Sequence, residues 1–206
     1  MYNYARNNYH QKPKPSNIQT PKEVSQFIFE LLKDKFPEES LIFDPCCGKG
    51  SLLRPWEQFA YPTFRIDIDP IVHWTTHGQP RKQTDFLLVK KSELAESFIP
   101  ALILCNPPFN GYGNKLGSEV WLDKIIELFG KEVPIVLFAP VGFRVNLTLE
   151  SSRWQKFKEG KYPPIASIIT LPKNIFPRVV FHSEILIFNI KGLKGHYFYQ
   201  PNERTK

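Results

Sequence analysis

Cysteine is scarce in this chain: three residues in 206, two of them adjacent at Cys46 and Cys47. That is neither the even, spaced set of a disulfide framework nor a zinc-ligand pattern, and it fits a reduced, cytoplasmic setting with no metal site. No stretch approaches the roughly 18 consecutive apolar residues that a spanning helix needs, so no membrane partner is expected. Residues 1–17 are rich in Asn, Tyr and Lys and lack the apolar segment of a secretory signal. Two common nucleotide fingerprints are also missing. There is no Gly-x-x-x-x-Gly-Lys-Ser/Thr phosphate loop and no Gly-x-Gly-x-x-Gly. Acids are unevenly sparse: residues 1–17 hold three cations and none, and residues 144–206 hold 11 Lys/Arg against 4 Asp/Glu. The intervening 126 residues, 18–143, carry 13 cations against 16 acids, so the formal net charge of +7 sits at the two ends. Such ends suit a polyanion, and aromatic residues interleaved in the C-terminal third (Trp154, Phe157, Tyr162, Phe176, Phe181) favour nucleic acid.

What the chain does have is 42% hydrophobic and 23% charged residues, the balance of a globular protein, in a length that suits one domain. A basic flexible tail over 1–17 and a single domain over 18–206 are expected, with no internal repeat. Apolar runs and helical periodicities alternate along that domain. Thr20-Pro21 reads as an N-cap followed by a first-turn proline, opening a helix whose apolar face carries Val24, Phe27, Ile28, Leu31 and Leu32. Strands are expected at Leu41–Asp44, Phe64–Asp67, Arg81–Thr84, Ala101–Cys105, Val133–Ala139, Ile165–Leu171 and Glu184–Ile190, with a short one at His196–Tyr199. Helices are expected at about Ser51–Phe59, from Asp69-Pro70, at Ser118–Phe129 and at Leu147–Lys158. This alternation predicts a mostly parallel sheet covered on both faces. The last two long strands have no helix between them and should pair antiparallel.

Asn106-Pro107-Pro108-Phe109 directly follows the run Ala101–Cys105, which places it at the C-terminal end of a buried strand. Reacting groups of open α/β sheets gather there. The prolines remove two N–H donors and stiffen the loop, so an Asn amide, a rigid carbonyl and an aromatic face stand together. That set suits a planar group bearing an amine. A second turn, Asp44-Pro45-Cys46-Cys47-Gly48-Lys49-Gly50, joins a strand to a helix, and its glycines allow a close backbone approach to a ligand. Asp44 would repel a pyrophosphate but can bind a cationic or amine group. Asp67 closes the next strand, where a carboxylate can take both hydroxyls of a ribose. Asp85 can accept from an adenine amine while Phe86 packs on the ring. Gly111–Lys115 reads as a substrate loop. Arg144, Lys173 and Arg178 are candidate phosphate contacts. Pro45-Cys46 superficially matches the Pro-Cys nucleophile of cytosine carbon-5 methylation, but its place in the glycine turn suits small buried packing. Phe181 and His182 read as packing residues.

Together these segments resemble the class I S-adenosylmethionine-dependent methyltransferases, and among them the adenine-amino (N6) DNA methyltransferases. Phe43–Gly50 is similar to that family's motif I, Asp67 to its ribose-binding acid, Asp85-Phe86 to its adenine-binding pair, and Asn106–Phe109 to its catalytic (Asn/Asp)-Pro-Pro-(Tyr/Phe) motif. Ile18-Gln19-Thr20-Pro21 resembles the upstream segment over the cofactor's methionine end. Leu171–Pro177 resembles the late motif VIII loop, whose aromatic, here Phe176, stacks on the target base. The resemblance implies an α/β Rossmann-like fold with a mostly parallel seven-stranded sheet and an antiparallel final strand. It also implies S-adenosylmethionine held by Thr20, Pro21, Asp44, Pro45, Cys46, Gly48, Gly50, Asp67, Asp85, Phe86 and Asn106. Catalysis would fall to Asn106, Pro107, Pro108 and Phe109, and substrate contacts to Phe109, Phe176, Lys173, Arg178 and Arg144. Asp44 precedes Asn106 by 62 residues, filled by predicted strands, which is the γ order of these enzymes. In that order target recognition follows the catalytic domain. The chain ends soon after the motif VIII loop, so specificity is expected from loops or a separate specificity subunit. DNA is the expected partner, with RNA adenine, a protein glutamine amide, or a catalytically silent cofactor-binding subunit as alternatives.

Overall fold

A computed structural model describes residues 18–69, 81–109, 113, 115–177 and 180–201. The expected basic tail, the helix expected from Asp69-Pro70 beyond Asp69, most of the Gly111–Lys115 loop and Arg178 lie outside the described residues.

Among the described residues eight strands form one sheet: β1 (Ile42–Asp44), β2 (Thr63–Asp67), β3 (Arg81–Gln83), β4 (Leu102–Cys105), β5 (Ile135–Pro140), β6 (Ile165–Thr170), β7 (Ser183–Phe188) and β8 (His196–Phe198). Their order is β3-β2-β1-β4-β5-β7-β6-β8. β1 to β5 are mutually parallel, and β7 runs antiparallel to both β5 and β6. The mostly parallel sheet is as expected. The short strand expected at His196–Tyr199 is β8, which adds in parallel beside β6 and makes one strand more than the seven that the resemblance implies. The antiparallel strand is β7, wedged between β5 and β6, and not the last strand of the chain.

β1, β4, β5 and β7 are buried along their whole length, which is why they read as unbroken apolar runs. Alternate side chains feed two cores. On one face Ile42, Leu102, Leu104, Val136, Phe138, Ile185 and Ile187 pack under α1 (Lys22–Leu32) and α2 (Arg54–Gln58). On the other, Phe43, Ile103, Cys105, Leu137, Leu186 and Phe188 meet α3 (Gly117–Phe129) and Phe143 of α4 (Gly142–Val145). Trp56 and Phe29 meet edge to face at 5.1 Å between centroids and are fully buried. Burial of a side chain like Phe29 stabilises by about 1.5–3 kcal/mol. Among the described residues no helix is long and apolar enough to cross a membrane.

Three sequence expectations shift. The residue capping α1 is Pro21, with no side-chain cap bond, because the Thr20 hydroxyl is engaged elsewhere. The helix expected over 51–59 shrinks to α2, since Gly50 to Leu53 are taken up in the turn. The helix expected over 147–158 is only α5 (Ser152–Lys158), started by Ser151, whose Oγ accepts from the Trp154 N–H at 3.3 Å. α5 is tied to α3 by polar side chains: Arg153 pairs with buried Glu119, and Lys156 with Asp123.

Candidate active site

β1, β2 and β4 end side by side, with Phe43 in register with Phe64 and Ile103. Asp44, Asp67 and Asn106 therefore share one edge of the sheet. Asp44 is 1% exposed, and its Oδ1 accepts from the Cys46 N–H at 3.0 Å. Burial, with a smaller push from the neighbouring Asp67 charge, raises its carboxyl from 3.8 to about 7, while Arg65 and the Cys46 N–H pull the other way. Asp67 braces the glycine turn: its Oδ2 accepts from the Gly48 N–H at 2.6 Å and its Oδ1 from the Asp69 N–H at 2.8 Å. Gly48 and Gly50 have φ of +50° and +74°, a backbone that side chains resist. A Cβ would also displace a neighbouring side chain. At Gly48 it would meet the Gln19 amide, and at Gly50 the Arg65 guanidinium, which is ion-paired with Glu57 of α2.

Pro45 is buried, and the Cys46 sulfur lies 3.7 Å from that of Cys105. Burial pushes the Cys46 thiol well above its ordinary range, and Cys105 beside it adds to the rise. An apolar, protonated thiol is a packing group, not a nucleophile. Asp85 caps the turn at Phe86–Leu88, its Oδ1 accepting from the Leu87 N–H at 2.9 Å. Phe86 is buried in the core against Phe43, so its ring is a wall behind the site rather than an open face.

The motif after β4 is held from two sides. Asn106 Nδ2 donates to Thr20 Oγ1 at 2.9 Å, which turns the amide oxygen away from Thr20. The Phe109 carbonyl accepts from the Gly117 N–H at 3.2 Å, so the first turn of α3 closes the loop between them. A Cβ built on Gly117 would overlap the Pro108 carbonyl oxygen. Gly117 thus lets α3 abut the motif backbone, while the next residue, Ser118, anchors the same turn by donating to the Phe138 carbonyl at 3.1 Å.

The substrate-side residues divide. Phe109 stacks on Phe181, with centroids 5.1 Å apart and planes 30° from parallel. Phe176, the expected second wall, is instead 3% exposed and packed edge-on against Phe138 in the core. Phe176 joins the core cluster beside Phe138 of β5, while Phe181 reaches the motif with its N–H donating to the Lys173 carbonyl at 2.7 Å. Lys173 is exposed beside this turn. Arg144 is not a free cation: Nε and Nη2 grip the buried Glu184 carboxylate at 3.2 and 3.0 Å. Its charge is balanced inside the protein, which removes the simplest basis for a phosphate contact. Gln19, part of the segment that resembles the family's upstream motif, was given no role of its own. Its Oε1 accepts from the Lys49 N–H at 2.8 Å, a contact that its place in that segment does not specify.

The donor set is informative. A buried acid under a glycine turn, a second acid one strand away, and a hydroxyl-amide pair at the next strand suit an ammonium, a ribose and an exocyclic amine. Comparison with known proteins bears on the fold. A candidate class I S-adenosylmethionine-dependent methyltransferase from Listeria monocytogenes superposes with a TM-score of 0.66 at 16% identity, covering 94% of this chain and 69% of that one. The modification subunit of a candidate type I restriction enzyme from Vibrio vulnificus YJ016 gives the same TM-score and identity, over 98% of this chain and 50% of that one. The fold is that of class I methyltransferases. Within it, residues 1–92 match the model of the N-6 DNA methylase family. A type I restriction enzyme MjaVIII methylase subunit from Methanocaldococcus jannaschii is 26% identical, over 86% of this chain and 37% of its own length. This chain therefore spans little more than a third of that relative. The expected fold is borne out, that of a class I methyltransferase, and the match to the N-6 DNA methylase model is confined to the first 92 residues.

Proposed function

We propose that this protein methylates the exocyclic N6 amine of adenine in DNA, with S-adenosylmethionine as methyl donor. The observation that carries the reading is the Asn106 amide tied through Nδ2 to Thr20 at the sheet edge shared with Asp44 and Asp67. It leaves Oδ1 as an acceptor beside a proline carbonyl. S-adenosylmethionine, when bound, supplies a methyl group activated on a sulfonium. Asp44 would hold its ammonium, and Asp67, on releasing the backbone bonds it now accepts, its ribose hydroxyls.

An adenine amine is a weak nucleophile because its lone pair is delocalised into the ring. Asn106 Oδ1 and the Pro107 carbonyl accept its two hydrogens and draw the nitrogen towards tetrahedral geometry. The lone pair so freed would be aimed at the methyl that a bound S-adenosylmethionine would supply, with the carbon–sulfur electron pair left on sulfur and the amine nitrogen giving up a proton to water. Oriented dipoles and positioning do this work, with no covalent enzyme intermediate. Phe109 stacks on the base, which must leave the duplex to reach the site. Stacking contributes roughly 1–3 kcal/mol per base, comparable to the few kcal/mol that extrusion costs. Phe181 rather than Phe176 is the second aromatic at the motif, and it would face the base on parting from Phe109, on which it now stacks.

The methylase and modification subunits among the similar proteins support a division of labour, with a separate specificity subunit choosing the sequence. One experiment tests the whole reading. Labelled S-adenosylmethionine is supplied with unmethylated DNA, total RNA or protein, and the acceptor is digested. Label in N6-methyladenine from DNA is expected, and label confined to RNA or to a glutamine amide would refute it. An Asn106→Ala variant should bind cofactor but lose transfer, and retained turnover would contradict the role given to Asn106.

A further inference from the structure

Thr20 is 7% exposed, and its hydroxyl oxygen accepts from Asn106 Nδ2 across 86 positions of sequence. Thr20 is thereby placed beside the reacting group as well as at the helix entrance. A hydroxyl offers one hydrogen and two lone pairs. With a lone pair taken by Asn106, its hydrogen is left for an acceptor. The alternative arrangement reverses both partners: the hydroxyl donates to Asn106 Oδ1, and Nδ2 faces the substrate. That state is useless for the proposed chemistry, because two N–H donors would meet an amine whose own hydrogens need acceptors. The direction of one side-chain amide therefore separates a working motif from an idle one.

The neighbouring residue extends the connection. Gln19 Oε1 accepts from the Lys49 N–H at 2.8 Å, and its amide fills the space over Gly48 where a Cβ would stand. Two successive side chains thus reach two different strand ends, one to the glycine turn after β1 and one to the amide after β4. α1 follows at once, and Val24, Ile28, Phe29 and Leu32 fix it in the core. This short segment is a strap between the proposed cofactor turn and the catalytic amide.

From this geometry we infer that Thr20 is a positioning residue that sets the direction of the Asn106 amide, and that a carboxylate in the cofactor makes that direction obligatory. The inference rests on the S-adenosylmethionine reading above. A cofactor carboxylate held at Thr20 would have no hydrogen to give, so it would take the Thr20 hydrogen. The hydroxyl oxygen could then take only a donor, and Asn106 would present Nδ2 to Thr20, as it does here, and Oδ1 to the amine.

The test combines two variants with a spectroscopic readout that needs no DNA. Thr20→Val keeps the shape but loses the hydroxyl, and kcat should fall about 100-fold, as when one oriented polar group is lost from such a site. Its cofactor Kd should rise about tenfold, the size of one hydrogen bond to a charged group. Thr20→Ser should restore both. A Thr20→Val protein whose Kd rises while kcat holds would make Thr20 a plain cofactor contact and overturn the inference, as would a Thr20→Ser protein no better than Thr20→Val. In the wild-type protein, the side-chain amide of Asn106 is followed by nitrogen-15 NMR. S-adenosylhomocysteine, which has the carboxylate, should slow exchange of the Nδ2 protons with water. 5′-Methylthioadenosine, which lacks it, should bind and leave them unchanged. Equal effects of the two ligands would overturn the inference even if Thr20→Val fails to fold. Calorimetry keeps the two readings apart: if neither ligand binds, it is the cofactor reading that fails.

Discussion

Replacing Asp44 by Asn should stabilise this protein above neutral pH while weakening its hold on cofactor. Asp44 is buried, and desolvation is the main reason its carboxyl titrates at about 7 rather than 3.8. Between those two values the folded protein holds a proton that the unfolded chain has released. Stability therefore declines as pH rises from about 4 to about 7 and is level beyond, because the native state binds more protons across that window. At 1.36 kcal/mol per pKa unit, the full decline is about 4 kcal/mol. Asparagine has nearly the same shape, can still accept from the Cys46 N–H, and has no charge to bury. Wild type and variant should thus match near pH 4 and diverge steadily, with Asp44→Asn more stable by up to about 4 kcal/mol at pH 8. Urea unfolding at pH 5, 6, 7 and 8, followed by tryptophan fluorescence, measures the difference. Parallel stability curves would refute the buried-acid argument, and so would a wild type that gains on the variant as pH rises. The cost has a matching use. The same charge is the one proposed to hold the cofactor ammonium, so wild-type affinity for S-adenosylmethionine should drop by about tenfold per pH unit below neutrality. Asp44→Asn should bind weakly at every pH.

Gly117→Ala should push the Pro108 carbonyl out of place, since the added Cβ overlaps it; kcat should drop at least about tenfold, the size of a small misplacement of reacting groups, with cofactor affinity kept. Alanine is otherwise the better helix former, so a variant that is more stable and fully active would show that the contact has no catalytic consequence. Phe181→Ala and Phe176→Ala should separate the two aromatic residues of the late loop. The first should weaken productive binding of DNA by about 1–3 kcal/mol in kcat/KM with little loss of stability. The second should cost about 3–5 kcal/mol of stability, because it empties a core position. Reversed outcomes would return the stacking role to Phe176.

The strands were legible because a strand buried on both faces must be apolar throughout, and β1, β4, β5 and β7 are so buried. The glycine turn and Asn106–Phe109 were legible for a related reason: positive φ demands glycine, and successive prolines can stand only where no ladder donor is needed. Periodicity failed where a short segment had two uses. Leu147–Lys158 carries enough apolar residues for one helix, yet Ser151 starts α5 late, and Arg153 and Lys156 turn it onto the acids of α3.

Local chemistry in the chain was enough to specify which groups are available: an acid before a glycine turn, an acid ending the next strand, an amide with two prolines and a phenyl ring. Packing settled which of them face one another. Whether Arg144 is free depends on a carboxylate 40 positions away, and whether Phe176 or Phe181 meets Phe109 depends on which ring the core takes first. Thr20 shows the difference most plainly. Its neighbours in sequence make it a helix cap, but its partner is Asn106, brought within 2.9 Å by the parallel packing of β1 and β4 beneath α1. A side chain's type and local spacing are written in the sequence, whereas its hydrogen-bond partner is set by distances that exist only once the sheet has formed.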